Sequence, residues 1–503
     1  MGDRTVTLEK PVHGFLDEAA AAAPGSPAVR DARGAWTYAE LDGLSRAFEG
    51  WLADQGVGPG DRVLVRLPNL RETAAMLYGT SRRGAVFVPI NPGMKDYHLG
   101  PVLADSEPAV VIVDDRQTAA MAALTDAPVH GLREVWEKVE ARLPEPAREP
   151  AAVTGDALAV LIYTSGSTAA PKAVACPHAQ ISFAVRGIGD MLGHTADDVF
   201  YVRLPLPFDY GLFQLLLSAD ARAELVLSGS EPEYTLLERI RESGTTVLPV
   251  VPALAQLLVV LGERDPGPSA VRLITNTGAA LPQATIDALR TVFPGAKVAR
   301  MYGITECKRV SIMPPDQDRE RPGSVGLPLP GTRVLILDED GTELPPGRTG
   351  EIVPVGPHVM AGYWRAPELT ARTFRPDPRT GETRLHTRDF GHLDEDGYLY
   401  FDGRRDDMFK RKGIRMSTIE IEAAATDIPG VRNAAALQPT EDRDLVLCVV
   451  TDLAPGVVLR ELAKRLEAAK VPSVCRVLDA FPLTPNGKTA KDRLAALVEE
   501  DPR

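Results

Sequence analysis

Short apolar runs rich in Val, Ile and Leu alternate with helix-like segments along much of the sequence. Examples are RVLVRL followed by ETAAMLYGTSRRG, and AVVIVDD followed by QTAAMAAL. The same rhythm recurs at VLPVV with PALAQLLVVLG and at VRLITN with PQATIDALRTVF. Because parallel strands need crossover connections, this alternation predicts layered α/β architecture, with two α/β lobes before about residue 330.

The pattern changes twice in the last third of the chain. From Thr332 onward, short strands are separated by turns, and DEDG occurs twice as a tight-turn signal, which predicts a small β-barrel-like unit. After about Arg404 a mixture of helical and strand patterns predicts a small α+β domain. We therefore expect an N-terminal domain over residues 1–403 and a C-terminal domain over residues 404–503.

Composition and charge narrow the function classes. The formal net charge of −13 disfavours a protein whose whole surface binds nucleic acid. The four cysteines include no CxxC pair and no cluster with zinc-ligand spacing. The N-terminus lacks an apolar signal core, and the longest apolar stretch is too short and too rich in proline to cross a bilayer. We expect a cytoplasmic enzyme without nucleic-acid or membrane partners.

The strongest chemical signal is LIYTSGSTAAPKAV at residues 161–174, where an apolar strand leads into a loop of small residues and a lysine. Such a loop lets backbone N–H groups and hydroxyls surround a polyphosphate, while the lysine supplies positive charge. The alternative is a flexible surface linker. The spacing differs from the GxxxxGK[ST] of Walker-type ATPases, so that class is not supported.

This loop resembles the signature YTSGSTGxPKG of the adenylate-forming superfamily, which includes acyl-CoA synthetases, peptide-synthetase adenylation domains and luciferases. Further segments match that superfamily in the expected order: TGAAL, MYGITE, TGEIVPVGPHVMAGYW, HTRDFGHLDEDGYLYFDGRRDD, KRKGIRMSTIEIE and PLTPNGK. One such motif is a weak signal, whereas several in register are specific. The chain is identified as a member on this basis, and the resemblance implies a large AMP-binding domain followed by a mobile C-terminal domain.

The resemblance implies a two-step reaction with ATP or an acyl-AMP, Mg²⁺ and coenzyme A as cofactors. The substrate carboxylate attacks the α-phosphate of ATP, pyrophosphate leaves, and a thiol then attacks the acyl adenylate. In the family, the lysine at Lys488 neutralises charge as the mixed anhydride forms. Thr305 would bond the phosphate, and Glu306 would hold Mg²⁺, which prefers oxygen ligands. Asp406 would be the hinge between the two domain orientations.

The resemblance also assigns the contacts to the nucleotide. Tyr302 would stack on adenine, Asp389 would accept hydrogen bonds from the ribose hydroxyls, and Arg404 would lie near the ribose or phosphate. The other predicted contacts come from the phosphate loop and the TGAAL turn, namely Thr164, Ser165, Gly166, Ser167, Thr168, Lys172, Gly278 and Ala279.

A basic stretch, RRDDMFKRKGIR, begins at Arg404 and contains six basic and two acidic residues. We expect Arg411 and Lys412 to meet the phosphates of coenzyme A, and Gly413 to let the pantetheine arm pass close to the backbone. A solvated basic face is the alternative. No carrier-protein serine motif occurs in the sequence, so we expect any carrier protein to be a separate chain.

The segment LPLPFDYGLF suggests the acid pocket. Asp209 could pair with an α-ammonium group, which would make an amino acid such as proline a candidate. Equally, Asp209 could be structural, and aromatic side chains could line a pocket for an aryl or polycyclic acid; we favour this non-amino acid. The predicted pocket residues are Phe208, Asp209, Tyr210, Phe213 and Gly303.

The sequence departs from the family on the polyphosphate side. Ala169, Ala170 and Ala173 stand where GxPKG is usual, and Arg388 stands where glycine is frequent. A methyl group costs about 1 kcal/mol or more where the backbone is left-handed. We therefore expect adenylation to be weak or absent, with thioester formation from an adenylate supplied by another enzyme retained.

The sequence thus predicts an acyl-CoA ligase, of a kind used in natural product biosynthesis, that handles a carboxylic acid as acyl-AMP. Two alternatives stay open. One is a stand-alone amino-acid adenylation enzyme that loads a carrier protein. The other is a non-catalytic adenylate sensor, against which the presence of Lys488, Glu306 and Asp389 argues, because a pure binder needs no lysine at the reacting centre.

Overall fold

The computed structural model describes residues 10–143, 150–164, 172–229, 231–404, 408–411, 414–440, 443–466, 468, 470–484 and 489–500. The described residues have the α/β architecture that the sequence predicts, with two helix-covered sheets, an antiparallel β unit and a small C-terminal domain. The predicted fold class is therefore confirmed.

The helices, numbered in chain order, are α1 (Val12–Ala22), α2 (Tyr38–Asp54), α3 (Arg71–Arg82), α4 (Asp96–Ser106), α5 (Thr118–Ala122), α6 (Leu132–Ala141), α7 (His178–Leu192), α8 (Asp209–Ala221), α9 (Leu236–Glu242), α10 (Pro252–Arg264), α11 (Gln283–Val292), α12 (Pro367–Thr373), α13 (Thr418–Thr426), α14 (Pro455–Ala463) and α15 (Lys491–Glu500).

The strands are β1 (Pro27–Asp31), β2 (Gly34–Thr37), β3 (Arg62–Arg66), β4 (Val86–Pro89), β5 (Val110–Val113), β6 (Val129–Gly131), β7 (Leu158–Thr164), β8 (Lys172–Pro177), β9 (Val199–Val202), β10 (Glu224–Leu227), β11 (Val247–Val250), β12 (Leu273–Asn276), β13 (Lys297–Tyr302), β14 (Ser311–Ile312), β15 (Ser324–Pro328), β16 (Arg333–Leu337), β17 (Gly350–Val355), β18 (Gly362–Tyr363), β19 (Phe374–Pro376), β20 (Thr383–Leu385), β21 (Asp389–Leu393), β22 (Leu399–Arg404), β23 (Met408–Arg411), β24 (Ile414–Ser417), β25 (Val431–Leu437), β26 (Val446–Thr451) and β27 (Val474–Val477).

The first lobe contains a sheet in the order β18-β8-β7-β4-β3-β5-β6. Its strands from β7 to β6 run parallel, whereas β8 is antiparallel to both β7 and β18. Strands β4 and β5 are buried at every position, because helices cover both faces of a parallel sheet. This explains why these strands appear in the sequence as continuous apolar runs.

The second lobe contains a sheet in the order β13-β12-β11-β9-β10-β1-β2, with parallel pairs throughout except between β1 and β2. One hydrophobic core joins the two lobes through helices α1, α2, α3, α7 and α8. Local signals place these helices: Thr37 and Glu40 form a capping box at the start of α2, and Gly193 ends α7 with a left-handed φ of 61°. The lobes therefore share one continuous apolar interior.

The β unit continues from the edge of the second lobe through β14, β15, β22, β21 and β17, and every pair in it is antiparallel. Within it, Asp389 at the start of β21 lies opposite Arg404 at the end of β22. This register places both residues at one end of the β unit. Tyr302, the last residue of β13, lies at the same end. The candidate site is built at that junction.

The C-terminal domain consists of the β23–β24 hairpin and a sheet in the order β25-β26-β27, packed with α13, α14 and α15. A hydrogen bond from Gln256 Nε2 to the carbonyl oxygen of Arg432, 3.1 Å long, joins α10 to this domain. Within the described residues, no helix combines the length and the apolar character needed to cross a membrane.

Candidate active site

Strands β7 and β8 pair on either side of the predicted phosphate loop. Thr164 lies opposite Lys172 at the base of the loop, and the Thr164 hydroxyl donates to the Lys172 carbonyl oxygen at 3.4 Å. The pairing holds the lysine where the loop returns to the sheet. The predicted contacts Ser165, Gly166, Ser167 and Thr168 lie outside the described residues.

Ala173 occupies a regular position inside β8, opposite Tyr163, and is buried. Its φ angle is not positive, so a methyl group here carries no left-handed strain. The physical reason for expecting weak adenylation therefore does not apply at Ala173. Ala169 and Ala170 lie outside the described residues.

Arg388 does occupy a position that favours glycine. Its φ is 61°, in the left-handed region that costs most residues about 1 kcal/mol or more. Its backbone N–H donates to Glu351 Oε1 at 3.0 Å, which anchors the turn before β21. The frequent glycine at this position thus has a conformational reason.

Tyr302, Asp389 and Arg404, three of the predicted nucleotide contacts, lie next to one another. The Tyr302 hydroxyl donates to Asp389 Oδ2 at 2.5 Å, and Arg404 Nε lies 3.2 Å from Asp389 Oδ1. Burial raises the pKa of Asp389, and Arg404 opposes that shift. Burial and the nearby Asp389 also raise the pKa of Tyr302, which keeps the phenol a hydrogen-bond donor. That Tyr302 stacks on adenine stays a prediction.

Glu306, the predicted metal ligand, accepts a hydrogen bond from the Tyr363 hydroxyl on its Oε1 at 2.6 Å. Thr305 precedes it in the same turn after β13. A single carboxylate with a neighbouring hydroxyl fits Mg²⁺, which is commonly held by one or two carboxylates together with phosphates and water. The donor set therefore fits the metal that the family implies.

Two glycines near the site have different structural roles: one has a left-handed backbone, and the other allows close backbone packing. Gly278, followed by Ala279, lies in the turn between β12 and α11 with a φ of 87°, and a Cβ there would meet nothing within 4 Å. At Gly303 a Cβ would lie 2.1 Å from the Lys308 carbonyl oxygen. The absence of a side chain at Gly303 therefore lets the chain after β13 fold back tightly against Lys308.

A buried charge cluster lies at the start of α8. Asp209 Oδ1 is 2.8 Å from Lys308 Nζ, and Asp209 Oδ2 is 3.5 Å from Arg309 Nη1. Lys308 is fully buried, and Arg309 is nearly so. Two cations thus share one carboxylate at this place.

Two of the predicted aromatic pocket residues contact this cluster. Lys308 Nζ lies 5.3 Å from the centre of the Phe213 ring, and the Arg309 guanidinium lies 5.0 Å from that of Tyr210. The Tyr210 hydroxyl is 2.8 Å from the Thr275 carbonyl oxygen, to which it donates. Phe208 immediately precedes α8 as its N-cap. The aromatic rings therefore face cations inside the protein.

Lys308 keeps its charge although it is buried. Burial acts to lower its pKa, but Asp209 and the Cys176 thiol more than compensate, so the pKa lies above its ordinary value. Lys308 Nζ is 3.2 Å from Cys176 Sγ, and the Lys308 backbone has a left-handed φ of 66°. Such strain is typical of functional positions.

Sequence reasoning missed Lys308, Arg309 and Tyr363. The signal for the first two was present, because two adjacent cations directly follow MYGITEC and precede a short apolar run. Tyr363 lies in a quoted motif, but its partner Glu306 is far along the chain. Only the fold brings these two together.

In the C-terminal domain the structure describes one of the predicted coenzyme A contacts. Arg411 is buried, and its Nη2 and Nε lie 2.6 and 2.8 Å from the carboxylate oxygens of Asp444. It also donates to the Val471 carbonyl oxygen at 2.9 Å. This hydrogen bonding lowers the pKa of Asp444. Asp406, Lys412, Gly413 and Lys488 lie outside the described residues.

Two family models match the chain. The model described as AMP-binding enzyme matches residues 16–364, and the model described as AMP-binding enzyme C-terminal domain matches residues 420–488. The candidate site lies mostly within the first match. Together the two matches cover most of the chain.

Curated relatives include ligases with different acceptors. The L-proline–(L-prolyl-carrier protein) ligase of Streptomyces coelicolor is 32% identical, over 91% of this chain and 91% of its own length. The indoleacetate–CoA ligase of Aromatoleum aromaticum is 29% identical, over 96% and 97%. A plipastatin synthase polypeptide of Bacillus subtilis is 30% identical over 98% of this chain, which spans 20% of that relative's length.

Among solved structures, the complex of VinN with L-aspartate shares 52% sequence identity and a TM-score of 0.74, over 78% of this chain and 98% of VinN. A complex of VinN with 3-methylaspartate shares 48% identity and a TM-score of 0.69, over 78% and 99%. The family models, the relatives and the fold agree. This chain belongs to the family of AMP-binding enzymes, the adenylate-forming ligases.

Proposed function

We propose that this protein activates an amino dicarboxylic acid of the aspartate type as its adenylate and transfers the acyl group to a thiol. The observation that carries the proposal is the buried cluster of Asp209, Lys308 and Arg309 at the start of α8. Such a cluster is costly to build without a ligand that uses it, because each buried charge loses its hydration.

The charges in the cluster match such a ligand. Lys308 and Arg309 together exceed Asp209 by one positive charge, and an amino dicarboxylic acid carries one net negative charge at neutral pH. The ammonium group of the substrate would pair with Asp209, and the second carboxylate of the substrate would pair with Lys308 and Arg309. The carboxylate to be activated then stays free to react. A pocket for an aryl acid would have no use for two buried cations.

The comparison with VinN supports this assignment. About half of the aligned residues are identical between VinN and this protein, and the alignment covers nearly all of VinN. Structures of VinN have been solved with L-aspartate and with 3-methylaspartate. The proposal replaces a sequence-based preference for a non-amino acid, which depended on the aromatic residues of the pocket without their buried cations.

The remaining site residues would serve the nucleotide. Asp389, which contacts Tyr302 and Arg404, would accept hydrogen bonds from the ribose hydroxyls. Lys172 would face the polyphosphate. Glu306 would hold Mg²⁺, which neutralises phosphate charge during transfer. By the family resemblance, Lys488 would stabilise the charge that develops as the anhydride forms.

We propose a separate carrier protein as the acceptor, with coenzyme A as the second candidate. Arg411, which the sequence suggested for coenzyme A, already uses its guanidinium inside the C-terminal domain. The full-length match to a CoA ligase keeps the second candidate open to test.

The first experiment is ATP–pyrophosphate exchange with matched acids. L-aspartate and 3-methylaspartate should support exchange. L-asparagine lacks the second carboxylate and succinate lacks the ammonium, and each should be poorer by about 100-fold or more, because it leaves buried charges unpaired. Indoleacetate and L-proline serve as controls. Pyrophosphate exchange with indoleacetate or L-proline, together with no exchange with L-aspartate, would contradict the proposal.

The second half-reaction is tested with the same protein. Free acid with Mg-ATP, or preformed aspartyl adenylate, is incubated with coenzyme A or with a phosphopantetheinyl carrier protein, and products are identified by mass spectrometry. Thioester from both inputs would establish both half-reactions. Thioester from the adenylate alone would mean that the alanine-bearing loop has lost adenylation, as the sequence suggested.

A further inference from the structure

Tyr363 lies between two charged groups of the candidate phosphate site. Its hydroxyl donates to Glu306 Oε1 at 2.6 Å, and Lys172 Nζ lies 5.8 Å from the centre of its ring. A hydroxyl suits a carboxylate, and the face of a phenol ring attracts a cation. One side chain therefore contacts the predicted metal ligand and the predicted phosphate lysine.

The fold holds Tyr363 firmly in this place. Strand β18 pairs with β8, so Tyr363 lies opposite Val174, two residues after Lys172. The Tyr363 backbone N–H donates to Thr370 Oγ1 at 2.9 Å, and its ring makes an edge contact with Phe374 at 5.6 Å. Loss of the hydroxyl alone would leave these contacts intact.

The segment that carries Tyr363 also contacts the backbone of Glu306. The Met360 N–H donates to the Glu306 carbonyl oxygen at 2.9 Å. Glu306 is thus held through its backbone by Met360 and through its side chain by Tyr363. Among the described residues, Tyr363 is the only hydrogen-bond or ion-pair partner of the Glu306 carboxylate, which leaves Oε2 for a metal ion.

Lys172 and Glu306 make no ion pair with each other in the part of the chain that the structure describes. Opposite charges this near to one aromatic ring would otherwise attract and neutralise each other. Tyr363 contacts the carboxylate with its hydroxyl and the lysine with its ring, and so keeps the two charges apart. The lysine can then bind phosphate, and the carboxylate can bind a cation.

We propose that Tyr363 is a positioning residue that orients Glu306 for the metal–nucleotide complex. The inference rests on the proposed function, because it assumes that a divalent cation binds at Glu306 with ATP. Its effect should appear in metal affinity and not in the recognition of the acid, which depends on Asp209, Lys308 and Arg309.

The test is Tyr363→Phe, which removes the hydroxyl and keeps the ring over Lys172. Mn²⁺, which reports by electron paramagnetic resonance, is titrated into protein saturated with the non-hydrolysable analogue α,β-methylene ATP. Metal affinity should fall about 10-fold or more, the usual effect of removing a hydrogen bond to a ligating group. The affinity for the analogue without metal should stay within about twofold, because the adenosine contacts are unchanged.

Tyr398→Phe is the matched control, because it removes a hydrogen bond of the same length, 2.6 Å, to Gln317. It should leave metal affinity unchanged. Glu306→Gln should weaken metal binding by itself, and adding Tyr363→Phe to it should weaken binding no further. A merely structural role would make the two losses multiply, so the double variant separates the roles.

The outcomes are distinct. Wild-type metal uptake with the analogue, together with unchanged affinity in Tyr363→Phe, would overturn this inference and leave the proposed function standing. No metal uptake by the wild type would overturn both. Weaker metal affinity in Tyr363→Phe, absent in Tyr398→Phe and in the Glu306→Gln background, supports the inference.

Discussion

At the residue scale, the site depends on charges that are paired inside the protein before any ligand arrives. Asp209 lies 2.8 Å from Lys308 and 3.5 Å from Arg309, and the backbone of Lys308 is strained at a φ of 66°. A paired, pre-formed cluster of this kind costs little reorganisation when a ligand exchanges partners with it. Specificity for a second carboxylate should therefore reside largely in Lys308.

Lys308→Met tests this assignment. The variant keeps a long apolar stem but loses the ammonium, so the preference for L-aspartate over L-asparagine in pyrophosphate exchange should fall by about 2 to 5 kcal/mol. The KM for ATP should not change. Arg290→Met is the control, because Arg290 pairs with Asp318 away from the site. An unchanged aspartate preference in Lys308→Met would contradict the role.

At the scale of elements, buried neutral histidines join α1 to its neighbours. His178 Nδ1, at the start of α7, accepts the Val12 N–H at 3.1 Å, and His13 Nδ1 is 2.9 Å from the Ser81 hydroxyl of α3. Burial lowers the pKa of His178 to about 3 and that of His13 to about 4. The docking of α1 therefore depends on the uncharged form of both rings.

Stability should consequently fall as the pH falls below about 6.5, the ordinary histidine pKa, because unfolded histidines bind protons that the folded ones exclude. The loss continues until the pH reaches the folded pKa values of about 4 and 3. At pH 5 the exclusion of a proton from each of these two histidines should lower the free energy of unfolding by about 2 kcal/mol. Urea unfolding at pH 7 and pH 5 measures the loss.

His178→Asn keeps an acceptor near Val12 but no longer titrates, so its loss of stability between pH 7 and pH 5 should be smaller than that of the wild type by about 2 kcal/mol. His98→Asn, at an exposed position, should behave like the wild type. If the two variants show the same pH dependence, the assignment to His178 is wrong.

At the scale of the whole molecule, the two half-reactions should use the C-terminal domain differently. Arg411, which is itself buried, ties the β23–β24 hairpin to the exposed Asp444, which precedes β26, through an ion pair. The hairpin directly follows the predicted hinge Asp406. Loosening the hairpin should disturb thioester formation more than adenylation, because the family resemblance assigns adenylation to Lys488, which lies near the other end of the domain in the sequence.

Arg411→Met should therefore reduce thioester formation about 10-fold, a loss of about 1.4 kcal/mol, while pyrophosphate exchange stays within about twofold. Arg432→Met provides the control, because Arg432 makes an exposed pair with Asp452 in the same domain, and such pairs contribute little. Equal loss of both half-reactions in Arg411→Met would indicate general destabilisation instead.

Much of the fold could be predicted from the sequence, because buried parallel strands and their crossover helices leave continuous apolar runs separated by helical patterns. The candidate nucleotide contacts follow from the family resemblance instead. Tyr302, Glu306 and Asp389 lie in motifs whose order along the chain is itself specific, and the structure brings Tyr302 and Asp389 together.

The sequence by itself determined the α/β architecture and the family, since local periodicity and motif order carry that information, and it supplied the candidate nucleotide contacts that stay predictions. Only the tertiary structure decided what Asp209 and Tyr363 contact. Asp209 precedes its partners Lys308 and Arg309 by about a hundred residues, and Glu306 precedes Tyr363 by 57. Charge pairing across such separations depends on how strands and helices pack, which no local pattern records.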